Sequence, residues 1–401
     1  TSILGPRFRG TVWDRLGYYL QVTTWYVAGD RNFAFSYPEY RRNSKLQRGQ
    51  RSFEVTEGYM SINTGPLHLQ FGRERFLWGR GYNEKLIVSE NASAMDYARI
   101  DATLGKVRYT FIHSWLLGQE KLVRNPYAGS LESLIDSKYL AAHRIELSVP
   151  RKFSWGLGEL IVYSRRFIDL AYLNPVNFYK TIETEFHNRD NALVTTDLAV
   201  YLSPNIELFG SFLLDDIEIG KIGSDYFGNK FAYNVGFNYI EPAGIEDTDL
   251  AFEYTKIDPY VYTHQIPENN YTNDQINIGH PLGPNSESLW LRGSYRPNHR
   301  LRLSFEAERQ RHGDNIYDAR GNLIKNVGGD VLFGKREFDA NDVPFLDGIL
   351  TKSYRLVLRG VYEFVNEWFI DFQYEYRYRK NASLGRTSKD QLLFFQLRVD
   401  L

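Results

Sequence analysis

Between residues 258 and 287 the chain sets aromatic rings among neutral hydrogen-bonding side chains: Tyr260, Tyr262, His264, Asn269, Asn270, Tyr271, Asn273, Asp274, His280 and Asn285. That mixture suits a sugar. A sugar ring presents an apolar C–H face and a rim of hydroxyls, so its sites pair an aromatic platform with Asn, Asp, Arg or His. Residues 30–50 add Phe33, Phe35, Tyr37 and Tyr40 beside Arg31, Arg41, Arg42, Lys45 and Arg48. Guanidinium pairs bidentately with carboxylate, so this set suits an acidic polymer. A solvated basic loop beside anionic surface groups is an equal reading. Trp78 supplies a ring in a third segment. For 258–287, filling space between elements is preferred over direct sugar contact.

Other chemistry finds less support. His264 or His280 with Ser286 and nearby acids can be imagined as a hydrolase triad, but no nucleophile elbow or other catalytic spacing accompanies them. Asp215-Asp216 and the stretch 188–190 lack the alternating ligands of a calcium loop. There is no cysteine, which removes disulfides and thiolate metal sites. Lys plus Arg number 48 and Asp plus Glu 49, so no global field points to nucleic acid. The expectation is a protein without catalytic residues, cofactor or metal.

The elements that must hold these loops show a period of two. Trp368, Ile370, Phe372, Tyr374, Tyr376 and Tyr378 alternate with Asp371, Gln373, Glu375, Arg377 and Arg379. Leu393, Phe395, Leu397, Val399 and Leu401 repeat the pattern, as do Leu301, Leu303, Phe305 and Ala307, and Tyr354, Leu356, Leu358 and Tyr362. A strand separates such sets; a helix mixes them. Runs of about ten residues cross a bilayer when tilted. Short turns at Asp14-Arg15, Thr64-Gly65, Gly105-Lys106, Pro204-Asn205, Asn298-His299 and Asn366-Glu367 alternate with long segments near 30–50, 74–96, 118–138, 165–190, 216–229, 258–287 and 312–349. Short periplasmic turns with long extracellular loops mark an outer-membrane β-barrel. Mean hydropathy is −0.43, as a barrel with a polar interior gives. Inward charges such as Arg302, Glu306, Arg355, Arg359, Asp371, Glu375 and Arg377 either pair to fill the lumen or mark a conduction path. About 17 strands are visible, and bacterial barrels normally have an even number. Either 331–338 hides a strand or an upstream segment supplies one, and the second is preferred. The whole of 1–401 then forms one barrel domain.

Several long segments are too apolar for exposed or disordered loops. Phe76, Leu77, Trp78, Leu86, Ile87 and Val88 fall in 74–96; Leu170, Tyr172, Leu173, Pro175, Phe178, Tyr179 and Phe186 fall in 165–190. We expect 74–96, 165–190 and 258–287 to fold into or over the lumen and plug it, with a short helix after Asn174-Pro175.

The run Gly72-Arg73, Trp78-Gly79-x-Gly81, Leu86, Ser89 and Asn91-Ala92 resembles the Wzi capsule-assembly family. So do Asn174-Pro175, Asn191-Ala192 and Asp197. Glu253-Tyr254, Tyr260-x-Tyr262-x-His264, Tyr271-Thr272-Asn273, Gly279-His280, Gly283-Pro284-Asn285-Ser286 and Arg311-His312-Gly313 continue the pattern in order, over about 70 to 315. The resemblance implies an outer-membrane barrel of about 18 strands whose surface acts as a lectin for capsular polysaccharide. Members of that family carry a helical region before the barrel, and this chain shows none. Its last residue is Leu401, where many such barrels end in an aromatic. The expected partners are outer-membrane lipid, lipopolysaccharide, capsular or extracellular polysaccharide, and other envelope proteins. Two rivals remain at this point: a porin-like channel for small solutes, and a structural subunit of a larger envelope complex.

Overall fold

The structure is a computed structural model that describes residues 2–28, 40, 49–124, 130–187 and 189–399. Among these, eighteen strand segments form one antiparallel sheet. Ser2–Leu4 and Arg7–Val12 pair with the same neighbour and make one pass, β1. In chain order follow β2 (Leu16–Tyr26), β3 (Ser52–Asn63), β4 (Leu67–Glu74), β5 (Met95–Leu104), β6 (Val107–Arg124), β7 (Leu131–Val149) and β8 (Phe153–Ser164). Two short helices, α1 (Leu170–Leu173) and α2 (Tyr179–Glu185), precede β9 (Asn191–Ser203) and β10 (Ile206–Asp216). The sheet continues through β11 (Lys230–Ile240), β12 (Thr248–Ile257), β13 (Ser286–Asn298), β14 (Leu301–Asp314), β15 (Ile349–Val365), β16 (Trp368–Asn381) and β17 (Arg386–Val399). Each strand pairs with its sequence neighbour, the meander of an outer-membrane barrel.

Among the described residues the passes are odd in number, so β1 and β17 run the same way. Antiparallel pairing between those two edges takes one strand of opposite direction. Residues 331–338, considered above as a strand, are turn and irregular chain. The Asp330 carboxylate accepts from the Leu332 N–H (2.9 Å), and that bend ends any extended run.

Register sorts every side chain to one of two faces. Phe305, Leu358, Tyr374 and Leu393 lie on one cross-strand row, and Glu306, Val357, Glu375 and Leu392 on the next. The first row faces lipid; the second faces the lumen, where Glu375 is buried between Arg355 and Arg377 (2.6 Å each).

Two expectations about the long segments need correction. The described residues 118–124 and 131–138 are strand rather than loop: β6 and β7 stay paired past a bulge at Leu117/Glu120. Lys121 with Asp136 (2.8 Å) and Ser133 with Glu120 (2.6 Å) tie them together. Both faces of such an extension meet water above the bilayer, so the apolar alternation that reveals a strand is lost. Residues 165–190 do contain helices flanking Asn174-Pro175, but they do not enter the lumen. Tyr172 and Tyr179 pack on Ala141, Ile161, Tyr163 and Ala192. These wall residues share the parity of Ile145, Trp155, Leu157 and Leu198, all exposed on the outer face.

The lipid-facing rows should tolerate charge according to depth. Leu358→Arg, amid the lipid-facing belt, is expected to lower stability by about 2–4 kcal/mol, whereas Thr387→Arg, near the outer end of β17, costs about 0–1 kcal/mol. Reversible denaturant unfolding in lipid vesicles reads both.

Candidate functional site

The plug is built from loops that satisfy one another. In loop 75–94, Trp78 and Val88 exchange backbone hydrogen bonds of 3.0 and 3.2 Å. The enclosed turn needs glycine: at Gly81 φ is +144°, and a Cβ would strike the Glu84 carbonyl and lie 2.8 Å from Asn234 Nδ2. Leu86, Ile87 and Val88 are fully buried against Ile112, Leu140, Leu160, Val162 and Leu193 of the inner wall. Burying each such side chain contributes roughly 1.5–3 kcal/mol.

Loop 258–285 lies across this hairpin. Tyr262 and Tyr271 stack at 5.6 Å, and their hydroxyls donate to the Leu86 (2.6 Å) and Ile87 (3.0 Å) carbonyls. The Ser89 N–H donates back to the Ile278 carbonyl (2.9 Å), and Asn91 Nδ2 to the Asn277 carbonyl (2.9 Å). Asp215 accepts the Tyr262 N–H (2.7 Å) and is neutralised by Lys230 (3.2 Å). Asn285 clamps the third loop, 315–348: its Nδ2 donates to the Gly313 (2.9 Å) and Asp347 (3.1 Å) carbonyls, and its Oδ1 accepts from the Leu346 N–H (2.7 Å).

The plug reaches the periplasmic end through Arg80. Its guanidinium donates to Ser154 Oγ (2.6 Å) and to Asp197 (3.3 Å), and Arg144 donates to both oxygens of the same aspartate. A cavity of about 1010 Å³ opens beside Arg80, Glu146 and Tyr201 at this end.

A second cavity, of about 950 Å³, lies between plug and wall on the side of the long loops. Its inner side is Asn83, Glu84, His280 and Pro281; its wall is the inward row set of β14–β17. The deepest row pairs Glu308, Arg355, Arg377 and Asp390; the next pairs Gln310, Ser353, Arg379 and Ser388; the outermost pairs His312, Thr351 and Asn381. The deep row is committed to structure. Glu308 Oε1 accepts from Asn83 (3.1 Å), Ser288 (2.8 Å) and Gln310 (2.8 Å), and Arg355 meets Glu306 (3.3 Å). In the middle row, Ser353, Arg379 and Ser388 have no side-chain partner among the described residues. This is a mixed-charge, donor-rich hollow of the size that holds small ligands.

Most residues singled out from the sequence lie in the plug and not on the hollow's lining. Trp78, Tyr260, Tyr262, Tyr271, Asn273 and Asn285 are buried in the plug. Tyr260 donates to the Asn326 carbonyl (3.1 Å), and Asn273 bridges the Leu117 N–H (2.8 Å) and Ser93 carbonyl (3.0 Å). His264 accepts from the Ile266 N–H (3.1 Å), and Ser286 donates to backbone carbonyls, so the two do not meet as a catalytic pair. Among the described members of the set, only His280 borders the cavity. Tyr40 packs edge-on against Trp25 (5.7 Å) and Phe53 (6.5 Å). Tyr37, Arg41 and Arg42 lie outside the described residues. No group of three or more metal-ligating side chains occurs among the described residues. Ser353, Arg379 and Ser388 were missed. Alternation had already turned Arg379 inward with Arg377, but it cannot say which part of a lumen a plug leaves open.

Fold and interior define an outer-membrane β-barrel whose lumen is filled by its own loops. Residues 8–329 match the family described as capsule assembly protein Wzi, and the chain belongs to that family. Among solved structures, Wzi of Escherichia coli aligns with a TM-score of 0.60 at 13% identity, over 97% of this chain and 76% of that one; it is described as an outer-membrane protein involved in group 1 capsule assembly and a carbohydrate-binding β-barrel. OpdK of Pseudomonas aeruginosa aligns at 0.49 with 9% identity, over 99% and 90% of the two chains. OccK10 (OpdN) of the same organism aligns at 0.46 with 10% identity, over 100% and 92%. No curated protein matches in sequence.

Two outcomes test the plug. Tyr262→Phe strands a buried carbonyl at Leu86 and should cost about 1–3 kcal/mol, seen as a lower temperature for the gel-mobility shift of the folded barrel. Burial holds the His280 imidazole down to about pKa 3 and His264 down to about 4, from 6.5 in the unfolded chain. Above pH 6.5 both states keep them neutral and their contribution is full. As pH falls through the window between those values the unfolded chain gains protons the fold refuses. Stability then drops by roughly 1.4 kcal/mol per pH unit per histidine. His280→Gln should flatten the acid limb of a stability–pH curve.

Proposed function

We propose that this protein binds capsular or extracellular polysaccharide at its outer mouth and anchors it at the cell surface, without catalytic turnover. The observation that carries the reading is the outward hollow: Ser353, Arg379 and Ser388, donors with no side-chain partner among the described residues, line it opposite the plug. Membership in the Wzi capsule-assembly family agrees with it, as does the carbohydrate binding described for the Escherichia coli protein. Hydroxyl-rich chains supply acceptors to all three donors, and Arg379 adds a charge for an acidic sugar. Arg41 and Arg42, with Tyr37 and Tyr40, are further candidates by residue type alone, since guanidinium and ring together suit an acidic sugar. In this reading Trp78, Tyr260, Tyr262, His264, Tyr271, Asn273 and Asn285 hold the plug in place, while His280 meets the ligand's edge.

A porin-like channel is the weaker reading, since the apolar core around Leu86, Ile87 and Val88 bridges plug and wall. A purely structural subunit of a larger envelope complex has no observation in its favour. It differs by stable co-purification with other envelope proteins in the absence of glycan binding.

Detergent-purified barrel should bind capsular polysaccharide of its own source saturably. Ser353→Ala with Arg379→Ala is expected to weaken binding about ten-fold or more, at roughly 1 kcal/mol or more for each lost hydrogen bond. Arg41→Ala with Arg42→Ala should weaken it further at low salt than at high salt. Absence of binding by the folded wild type would sink the reading, and steady single-channel currents in planar bilayers would favour the channel instead.

A further inference from the structure

On β6–β8 the rule that sends apolar residues toward lipid is broken. The outward series Trp155, Leu157, Glu159, Ile161, Tyr163 of β8 contains a carboxylate. Beside it on β7, His143 brings its Nε2 to 3.3 Å from Glu159 Oε2. On β6, His113 places Nε2 2.8 Å from the Tyr163 hydroxyl. Polar and ionisable groups facing hydrocarbon are costly unless something covers them.

Residues 165–190 cover them. Tyr179 stacks on His143 at 4.5 Å and donates its N–H to Glu159 (2.8 Å). Tyr172 packs on Tyr163, and its hydroxyl donates to Asp190 (2.7 Å), which Arg166 also grips (2.6 Å). The segment's own backbone is paired with equal care. Asp169 takes the Ala171 N–H (3.0 Å), Asn177 Nδ2 donates to the Ala171 carbonyl (2.8 Å), and the Pro175 carbonyl accepts the Tyr109 hydroxyl. A loop in water has no need of such closure; one at membrane depth does.

What this segment turns away from the wall is apolar. Phe167, Leu170, Val176 and Phe178 are 94%, 79%, 76% and 70% exposed. They continue the lipid-facing belt of the wall beside them, Ile145, Trp155, Leu157 and Leu198. We propose that residues 165–187 form a strap embedded in the outer leaflet, inserting these side chains among lipid acyl chains while its inner face shields the polar window of β6–β8. The occupant is lipid, because the patch is continuous with a surface that lipid already covers. The strap thus fixes the barrel's depth and orientation on one side of its circumference, independently of any glycan.

The absence of cysteine makes every introduced thiol unique. Single variants Phe167→Cys, Val176→Cys and Phe178→Cys would carry a small fluorophore in phosphatidylcholine vesicles, with Leu358→Cys in the belt and Ser224→Cys in loop 217–229 as references. Quenching by acyl-brominated phosphatidylcholine should match Leu358→Cys and exceed Ser224→Cys several-fold, with little quenching by aqueous iodide. Phe167 touches so little that its variant keeps the fold, which the gel-mobility shift verifies. Iodide quenching equal to that at Ser224→Cys would overturn the proposal. Shielding from both quenchers, with bismaleimide joining two copies through these positions, would overturn it in favour of a protein interface.

Discussion

Wherever water is excluded, on the lipid face and inside a packed plug, backbone N–H and C=O groups must find partners within the protein, and that demand organises this molecule. Strands meet it by pairing. The loops that leave the strands cannot, so they borrow side chains. The stacked Tyr262 and Tyr271 give their hydroxyls to the Leu86 and Ile87 carbonyls. Asn273, Asn277 and Asn285 do the same work for irregular chain elsewhere, each spending both ends of its amide. Asparagine and tyrosine are therefore frequent in these loops for a reason unconnected with ligands, although they are also the residue types that recognise sugars.

That coincidence explains what was legible. The barrel, its short turns and its passes followed from period-two alternation, because one lumen face and one lipid face impose the same period on every strand. The apolar content of 74–96 and the aromatic-polar content of 258–287 marked them as structured. Composition could not separate a sugar platform from a backbone-satisfying plug, since Tyr262 would read alike in either. Nor could it place 165–190: an apolar loop is as well served by the outer wall as by the lumen. The discriminating residue was Glu159, a carboxylate in an outward row that required a cover. Ser353, Arg379 and Ser388 were hidden for another reason. Single polar residues on inward rows are ordinary, and they gain meaning only when three rows align beside a gap.

The gap itself is a consequence of asymmetric packing. The plug's apolar core touches β5 through β12 and includes no buried residue of β13–β17. On β6–β9 the wall is sandwiched, with the plug on its inner face and the α1–α2 segment on its outer face. Apolar contact on both sides makes that arc rigid. Across the lumen, β14–β17 form a single layer whose inner face is polar and whose deep charges, Glu306, Arg355, Glu375 and Arg377, neutralise each other. Such charges hold the wall's inner face without calling for an apolar plug against it, and water can enter above them. A hollow that opens outward and is lined by polar side chains follows from placing the plug's apolar packing on one arc. The same arrangement that disfavours conduction leaves room for a polymer end or side chain to enter from outside and stop.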